Sequence, residues 1–244
     1  MSIFSKLKKD KPAPPYTTAI IVAAGRSERF GGQASKQLAE IGGHPVLLRA
    51  IMAFDHAKTV DEIIVVTSEE LIAVLSDYIR EYGFEKVTQL VRGGETRQQS
   101  VARGLDCCPS HTAFVAVHDG ARPFVSPALI DEVNRAAYVY GNAIPGVPPV
   151  DTVKLLNAER SVERTLDRHS LVCVQTPQTF AAVQYRAALR AAQQKGRDYT
   201  DDSQLLEAAG VPVHVIEGQP DNIKITTRQD LLFAARIAEQ LDYV

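Results

Sequence analysis

The sequence has no surplus of positive charge. Its 27 lysines and arginines stand against 29 aspartates and glutamates, for a formal net charge of -2. That argues against general nucleic-acid binding, which uses clustered cations to neutralise phosphates. Cysteine is scarce as well. Cys107, Cys108 and Cys173 include one adjacent pair and no metal-ligand spacing, so they read as reduced thiols, small buried hydrophobes in a cytoplasmic protein. No run approaches the roughly 18–20 apolar residues that span a bilayer, and the N-terminus has no signal-peptide apolar core, so no membrane role is expected. Internal repeats and low-complexity tracts are missing too. Residues 1–16 carry Lys6, Lys8, Lys9 and Lys11 ahead of Pro12, Pro14 and Pro15, which reads as a frayed basic lead-in.

What the 244 residues do contain is a rhythm. Short apolar strands (Ala19 to Ala24, Ile63 to Val66, Lys86 to Val91, Ala113 to His118) alternate with helical spacing. Pro45 at a first helical position opens Val46 to His56. Thr67 and Glu70 form a capping box for a helix closed by Gly83. Further helices are expected over Thr96 to Asp106 and from Ser126-Pro127 to about Tyr140. This is the pattern of a single α/β domain, residues 17–244, on a mainly parallel sheet. The rhythm breaks between Pro145 and Gln175, where Val150 to Leu156 and Val162 to Thr165 read as a hairpin that projects from the sheet, an arm over about 148–170. It resumes with a helix from Ala181 to Gln194, a helix capped by Thr200 and ending at Gly210, a strand from Pro212 to Ile216, and a final helix capped by Thr227.

In parallel sheets ligands collect beyond the carboxyl ends of the strands. Three loops lie there. The first, Gly25 to Lys36, holds three glycines, two arginines and a lysine. Glycines let backbone N–H groups approach phosphate oxygens, and Arg29 and Lys36 bring mobile positive charge; a plain surface turn is the alternative. Neither the Walker spelling nor G-x-G-x-x-G fits, because Ser35 precedes Lys36 and the glycine spacing from Gly25 is wrong. The second loop, Arg92-Gly93-Gly94-Glu95-Thr96-Arg97, offers backbone N–H and C=O groups that can read a base edge, or is simply a strand-to-helix turn. In the third, His118-Asp119-Gly120-Ala121-Arg122-Pro123, the Asp119 carboxylate is placed to hold Mg²⁺ or another divalent cation, which prefers oxygen ligands; the alternative is a loop cap. The adjacent His118 invites a role as general base, but a lone histidine is more often structural, and that is the reading taken.

The run AAGRSERFGGQASKQ resembles the signature loop of nucleotidyltransferases that join a nucleoside triphosphate to a phosphorylated sugar or polyol. With the later segments GGETRQQSV, DTVK, TLDR, QTPQTF, TDD and DNIKIT, the chain is identified as similar to the 2-C-methyl-D-erythritol 4-phosphate cytidylyltransferase family from about Thr18 onward. It departs from that family's common pattern at Ser35, Glu95 and Val150. The resemblance implies a Rossmann-like nucleotidyltransferase fold. It implies CTP contacts from Ala23, Ala24, Gly25, Arg29, Lys36, Gly93, Gly94, Glu95, Ser100, Asp119 and Ala121. Acceptor contacts would come from Arg122, Thr152, Arg168 and Lys224, and metal contacts from Asp119 and Asp221. Arg29, Lys36, Arg168 and Lys224 would be catalytic, and the arm would cross to the other subunit of a homodimer. The reaction implied is attack of a phosphate monoester on the α-phosphorus of CTP. A cytidylyltransferase for ribitol 5-phosphate or another sugar phosphate is the nearest alternative, and a catalytically silent nucleotide-binding protein the alternative of another class.

Overall fold

In the computed structural model of the protein, residues 13–25 and 36–240 are described. Arg29, in the first of the three loops, lies outside them. In chain order the elements are β1 (Thr17–Val22), a 3-10 turn (Lys36–Leu38), β2 (Glu40–Ile41), β3 (His44–Pro45), α1 (Val46–His56), β4 (Glu62–Thr67), α2 (Glu69–Tyr82), β5 (Val87–Arg92) and α3 (Arg97–Asp106). Next come β6 (Phe114–Asp119), α4 (Pro127–Tyr140), β7 (Asn142–Val147), β8 (Lys154–Leu156), β9 (Val162–Thr165), a second 3-10 turn (Arg168–Ser170) and β10 (Cys173–Val174). The chain ends through β11 (Gln178–Ala181), α5 (Ala182–Gln194), α6 (Ser203–Ala208), β12 (Val215–Glu217) and α7 (Arg228–Gln240).

One 8-stranded sheet organises the molecule, in the order β10-β7-β11-β6-β1-β4-β5 with β12 beside β7. The pairs β6-β1, β1-β4 and β4-β5 are parallel, whereas β11 runs antiparallel to both β6 and β7. The period of two in the strands sorts side chains onto opposite faces. Ala19, Ile21, Ile63, Val65 and Ala116 pack on one side with α1 and α4. Ile20, Ile64, Val66, Val115 and Val117 pack on the other with α3, α5 and α6. Both faces are covered, which is why these strands read as unbroken apolar runs.

The chain runs outward through β1, β4 and β5, then returns to the other side of β1 to form β6. That reversal is a topological switch point, where a crevice opens at the strand ends. Register aligns the ends: Val22 pairs with Val66 and with Asp119, and Thr67 pairs with Arg92. The three loops singled out above therefore start along one edge.

Several boundaries differ from the sequence reading. Thr67 is the buried last residue of β4, so Ser68 takes the N-cap of α2. Pro45 belongs to the small β2-β3 ladder and precedes α1 as its N-cap. Asp202 replaces Thr200 at the start of α6. The hairpin's first strand begins at Lys154, and β8-β9 form a two-stranded sheet of their own. Strand β7 escaped the reading because Pro145 and Gly146 interrupt its pattern. Pro145 cannot donate, yet its carbonyl accepts from Gln175 N at 2.8 Å. The caps at Thr96, Ser126 and Gly83 stand as read, Gly83 in the left-handed region at φ 67°.

Helix α3 carries the second loop and lies close on the sheet. A Cβ added at Gly104 would come within 2.6 Å of Ile20 Cγ2 and 2.9 Å of Val66 Cγ2, both on fully buried β-branched residues with little freedom to turn. Gly104→Ala gains about 1 kcal/mol of helix propensity but overpacks the core at a cost of about 1–3 kcal/mol. The variant should therefore show a lower urea midpoint; one at or above wild type would mean that α3 lifts from the sheet freely.

Candidate active site

The first and second loops are locked together. Ala23 N donates to Val66 O at 2.7 Å, and Gln37 Nε2 donates to Ala23 O at 2.8 Å and Gly25 O at 3.3 Å, tying the two ends of the first loop. Lys36, on the 3-10 turn beside Gln37, sits at the returning end of that loop. A Cβ at Gly93 would lie 2.2 Å from Ala24 Cβ, so only glycine lets the two backbones approach this closely.

The donors of the second loop point inward. Gly93 N donates to Thr67 O at 2.8 Å, Gly94 N to Ser100 Oγ at 3.0 Å and Glu95 N to Gln99 Oε1 at 2.9 Å. Gly93 O accepts from Arg103 Nη1 at 2.6 Å. The N–H groups of Gly93, Gly94 and Glu95 are thus engaged within the turn, where the sequence reading expects backbone N–H and C=O groups of this loop at a base edge. Those donors stiffen the turn, with Ser100 as its brace, since its hydroxyl also donates to Thr96 O at 2.9 Å.

Asp119 ends β6 and is 7% exposed. Arg97 Nε donates to its Oδ1 at 3.0 Å, Lys224 Nζ to its Oδ2 at 2.7 Å, and Arg122 Nε stands 3.9 Å from Oδ2. Burial alone would raise this carboxyl, but Arg97 and Lys224, then Arg122, outweigh it and hold it far below the usual carboxylate range. Arg97 is shared: its Nη1 lies 2.6 Å from Asp202 Oδ2, a charge contact without hydrogen-bond alignment. Asp202 is fully buried and has that one cation, so burial prevails and its carboxyl is raised despite Arg97 and the Tyr185 hydroxyl.

His118 faces away from this chemistry. Asp119 N donates to Thr176 Oγ1 at 3.1 Å, and Thr176 Oγ1 lies 3.0 Å from His118 Nδ1. His118 Nε2 lies 3.2 Å from Arg122 O, a carbonyl that can only accept. The proton is thereby assigned to Nε2, and Thr176 donates to Nδ1. Burial lowers the imidazole to about 3, ahead of the opposing pull of Asp119. The ring is a neutral brace under the site.

The turn holding Lys224 is strapped to the third loop. Ile225 N donates to Ala121 O at 2.8 Å, Arg122 Nη1 to Asn222 O at 2.7 Å, and Asn222 Nδ2 to Thr176 O at 3.0 Å. So Lys224, Ala121, Arg122 and Asp119 are gathered in one place. Asp221 is exposed on the same turn, and no contact among the described residues ties its carboxylate to Asp119. Thr152 and Arg168 are exposed on the arm, where Arg168 Nη1 donates to Val150 O at 3.3 Å. Arg97, Asp202 and Tyr185 were given no role from the sequence, although Arg97 and Asp202 stand inside quoted motifs; the signal for Arg97 was a charged residue opening a helix that follows a strand, and for Asp202 a charged residue at a helix start.

Both Asp119 oxygens already hold a cation, and among the described residues no group of three or more His, Cys, Asp or Glu side chains could hold a metal. The Asp119 carboxylate still fits Mg²⁺, which is commonly held by one or two carboxylates together with substrate phosphates.

Residues 17–240 match the model of the 2-C-methyl-D-erythritol 4-phosphate cytidylyltransferase family. An enzyme of that name from Dehalococcoides mccartyi is 43% identical over 220 residues, covering 88% of this chain and 93% of that protein. Another from Caldanaerobacter subterraneus is 42% identical over 218 residues, 89% and 96% of the two chains. The crystal structure of 4-diphosphocytidyl-2C-methyl-D-erythritol synthase from Anaerococcus prevotii superposes with a TM-score of 0.84 at 30% identity, covering 93% of this chain and 97% of that one.

The His118 assignment has a consequence for stability. Above its ordinary value of 6.5 both folded and unfolded chains hold a neutral ring; below it the unfolded chain takes a proton that the folded one refuses until about 3. Stability is therefore complete above that upper value and is lost as pH falls through the window, by about 1.4 kcal/mol per pH unit. Histidine NMR between about pH 8 and 5 should show no His118 titration; a ring titrating near its ordinary value would restore it as a candidate base.

Proposed function

The chain belongs to the 2-C-methyl-D-erythritol 4-phosphate cytidylyltransferase family, and from that premise we propose how its residues divide the work of moving CMP from CTP to 2-C-methyl-D-erythritol 4-phosphate. The products are 4-diphosphocytidyl-2-C-methyl-D-erythritol and pyrophosphate. The observation that carries the assignment of roles is the gathering of Arg97, Arg122 and Lys224 around Asp119 at the switch point of the sheet.

The acceptor phosphate has a second pKa of about 6 and is already largely dianionic at neutral pH. Its oxygen needs no base, in keeping with a neutral, inward-facing His118. The obstacle is the approach of two anions. A pair of unit charges about 4 Å apart repels by about 4 kcal/mol at an effective dielectric of about 20, and one preorganised stabiliser is worth about 3–4 kcal/mol. A few fixed cations therefore suffice.

Lys36 and Arg29 take the triphosphate and the charge that grows on pyrophosphate. Lys224, partly in solvent beside Asp119, meets the acceptor phosphate, with Arg122 beneath it. A divalent cation carried on CTP would be held by Asp119 and would neutralise the phosphates in the same place. Gly93, Gly94, Glu95 and Ser100 shape the floor for cytosine, and the loop backbone at Ala23, Ala24 and Gly25 lies beside it. Three free thiols fit a reducing cytoplasm.

Thr152 and Arg168 serve the acceptor phosphate of a neighbouring subunit. Arginine suits that role, since its planar fork binds phosphate through two hydrogen bonds. Support for a homodimer through the arm comes from apolar side chains left in solvent on and beside it, Val150 at 87% exposed, Val162 at 58% and Leu156 at 46%. Sedimentation velocity at rising concentration should give the mass of two chains, reduced to one by deleting residues 154–165; a monomer at every concentration would end the crossed-arm reading.

For the acceptor, the protein is incubated with CTP, Mg²⁺ and each candidate separately while pyrophosphate is followed. 2-C-methyl-D-erythritol 4-phosphate should release it at least about tenfold faster than ribitol 5-phosphate. Faster release with ribitol 5-phosphate would reassign the acceptor, and CTP bound without release under any acceptor would favour a silent nucleotide-binding protein.

A further inference from the structure

Two buried carboxylates share one arginine, yet only Asp119 opens toward the reacting groups. Asp202 lies behind it, at the start of α6, with its Oδ1 accepting from the Tyr185 hydroxyl at 2.5 Å. Tyr185 is itself fully buried and stacks on Phe180 with ring centroids 4.8 Å apart. The segment around Asp202 is pinned from several sides. Gln178 Nε2 donates to Asp201 Oδ2 at 2.6 Å, Asp201 Oδ1 accepts from Ser203 N at 2.7 Å, and Gln98 bonds both Arg197 O and Tyr199 N. Arg97 thus joins this pinned segment to Asp119, with both ends of its guanidinium engaged.

We propose that Tyr185, Asp202 and Arg97 form a buried positioning relay that fixes the Asp119 carboxylate, so that Oδ1 is held from behind and Oδ2 is presented to Lys224 and the incoming substrates. Stability does not account for the arrangement. A buried ion pair often contributes little or nothing net against an apolar replacement, and Asp202 retains a raised carboxyl even with Arg97 beside it. Geometry does account for it. Without Arg97, Asp119 would be oriented by Lys224, which is 39% exposed, and drawn toward Arg122, whose Nε is buried without a hydrogen-bond partner. A misplacement of about 1 Å from a remote change can cost about a hundredfold in rate. The relay also gives a purpose to Asp202 of the Thr200-Asp201-Asp202 motif.

This inference rests on the cytidylyl transfer assigned above, and wild-type turnover in the same assay tests that assignment separately. Arg97→Gln should lower kcat by about 10- to 100-fold while the KM values for CTP and acceptor stay within about threefold, the signature of lost transition-state alignment. Arg97→Lys should restore part of the loss. Asp202→Asn should lower kcat about tenfold, and the double variant should be no slower than Arg97→Gln alone, because the chain is already cut. Tyr185→Phe removes one hydroxyl and keeps the ring stack, so it reads the relay even if the Arg97 variants fail to fold; a kcat several-fold below wild type is expected. An unchanged kcat in Tyr185→Phe, or losses that multiply in the double variant, would overturn the relay.

Discussion

A carboxylate kept ionised in a place where water hardly reaches is the constraint that shapes this molecule. Asp119 is 7% exposed, and removing such a charge from water costs on the order of several kcal/mol unless cations and hydrogen bonds replace the lost solvent. Those partners come from three separated stretches: Arg97 opens α3, Arg122 follows β6, and Lys224 sits ahead of α7. Each helix and turn must therefore dock correctly before the charge is matched. The parallel strands supply the shared edge, and the strapping of residues 222–225 to residues 121–122 supplies the last cation.

The same group explains why the site is polar to its foundations. His118 and Thr176 lie under Asp119 in a chain of hydrogen bonds that ends on the carbonyl of Arg122, and Asn222 fastens Thr176 to the Lys224 turn. A buried hydrogen-bonded network narrows the arrangements open to its side chains, whereas an apolar core tolerates several. Nature of the support and nature of the chemistry are thus continuous: fixed dipoles below, exchangeable cations above.

Much of this was legible in the residues. Unbroken β-branched runs gave β1, β4 and β6 because both faces of those strands are covered, and Thr96, Ser126 and Gly83 marked helix ends by local chemistry alone. Asp119 and Lys224 stood out through their positions after a strand and in a quoted motif. What escaped was what depends on long-range pairing. Strand β7 contains Pro145 and Gly146 and is a strand only because β11, β10 and β12 flank it. Arg97 looked like one more helix-starting cation until Asp202, more than a hundred positions on, came to lie 2.6 Å from it. The inward-turned N–H groups of residues 93–95 could not be told from outward ones by composition, since glycine permits both.

The contact between Gly93 and Ala24 carries a lesson for anyone who would re-engineer base preference. The turn after β5 and the backbone after β1 are nested too tightly to be treated as separate modules, and Gly94 is likewise backed by Gln99. A graft of residues 92–100 onto a related scaffold would have to bring its opposing alanine with it, and a donor loop with any side chain at the first of those glycines would not seat. Diversification of this pocket over generations is thereby confined to coordinated exchanges across two distant parts of the chain.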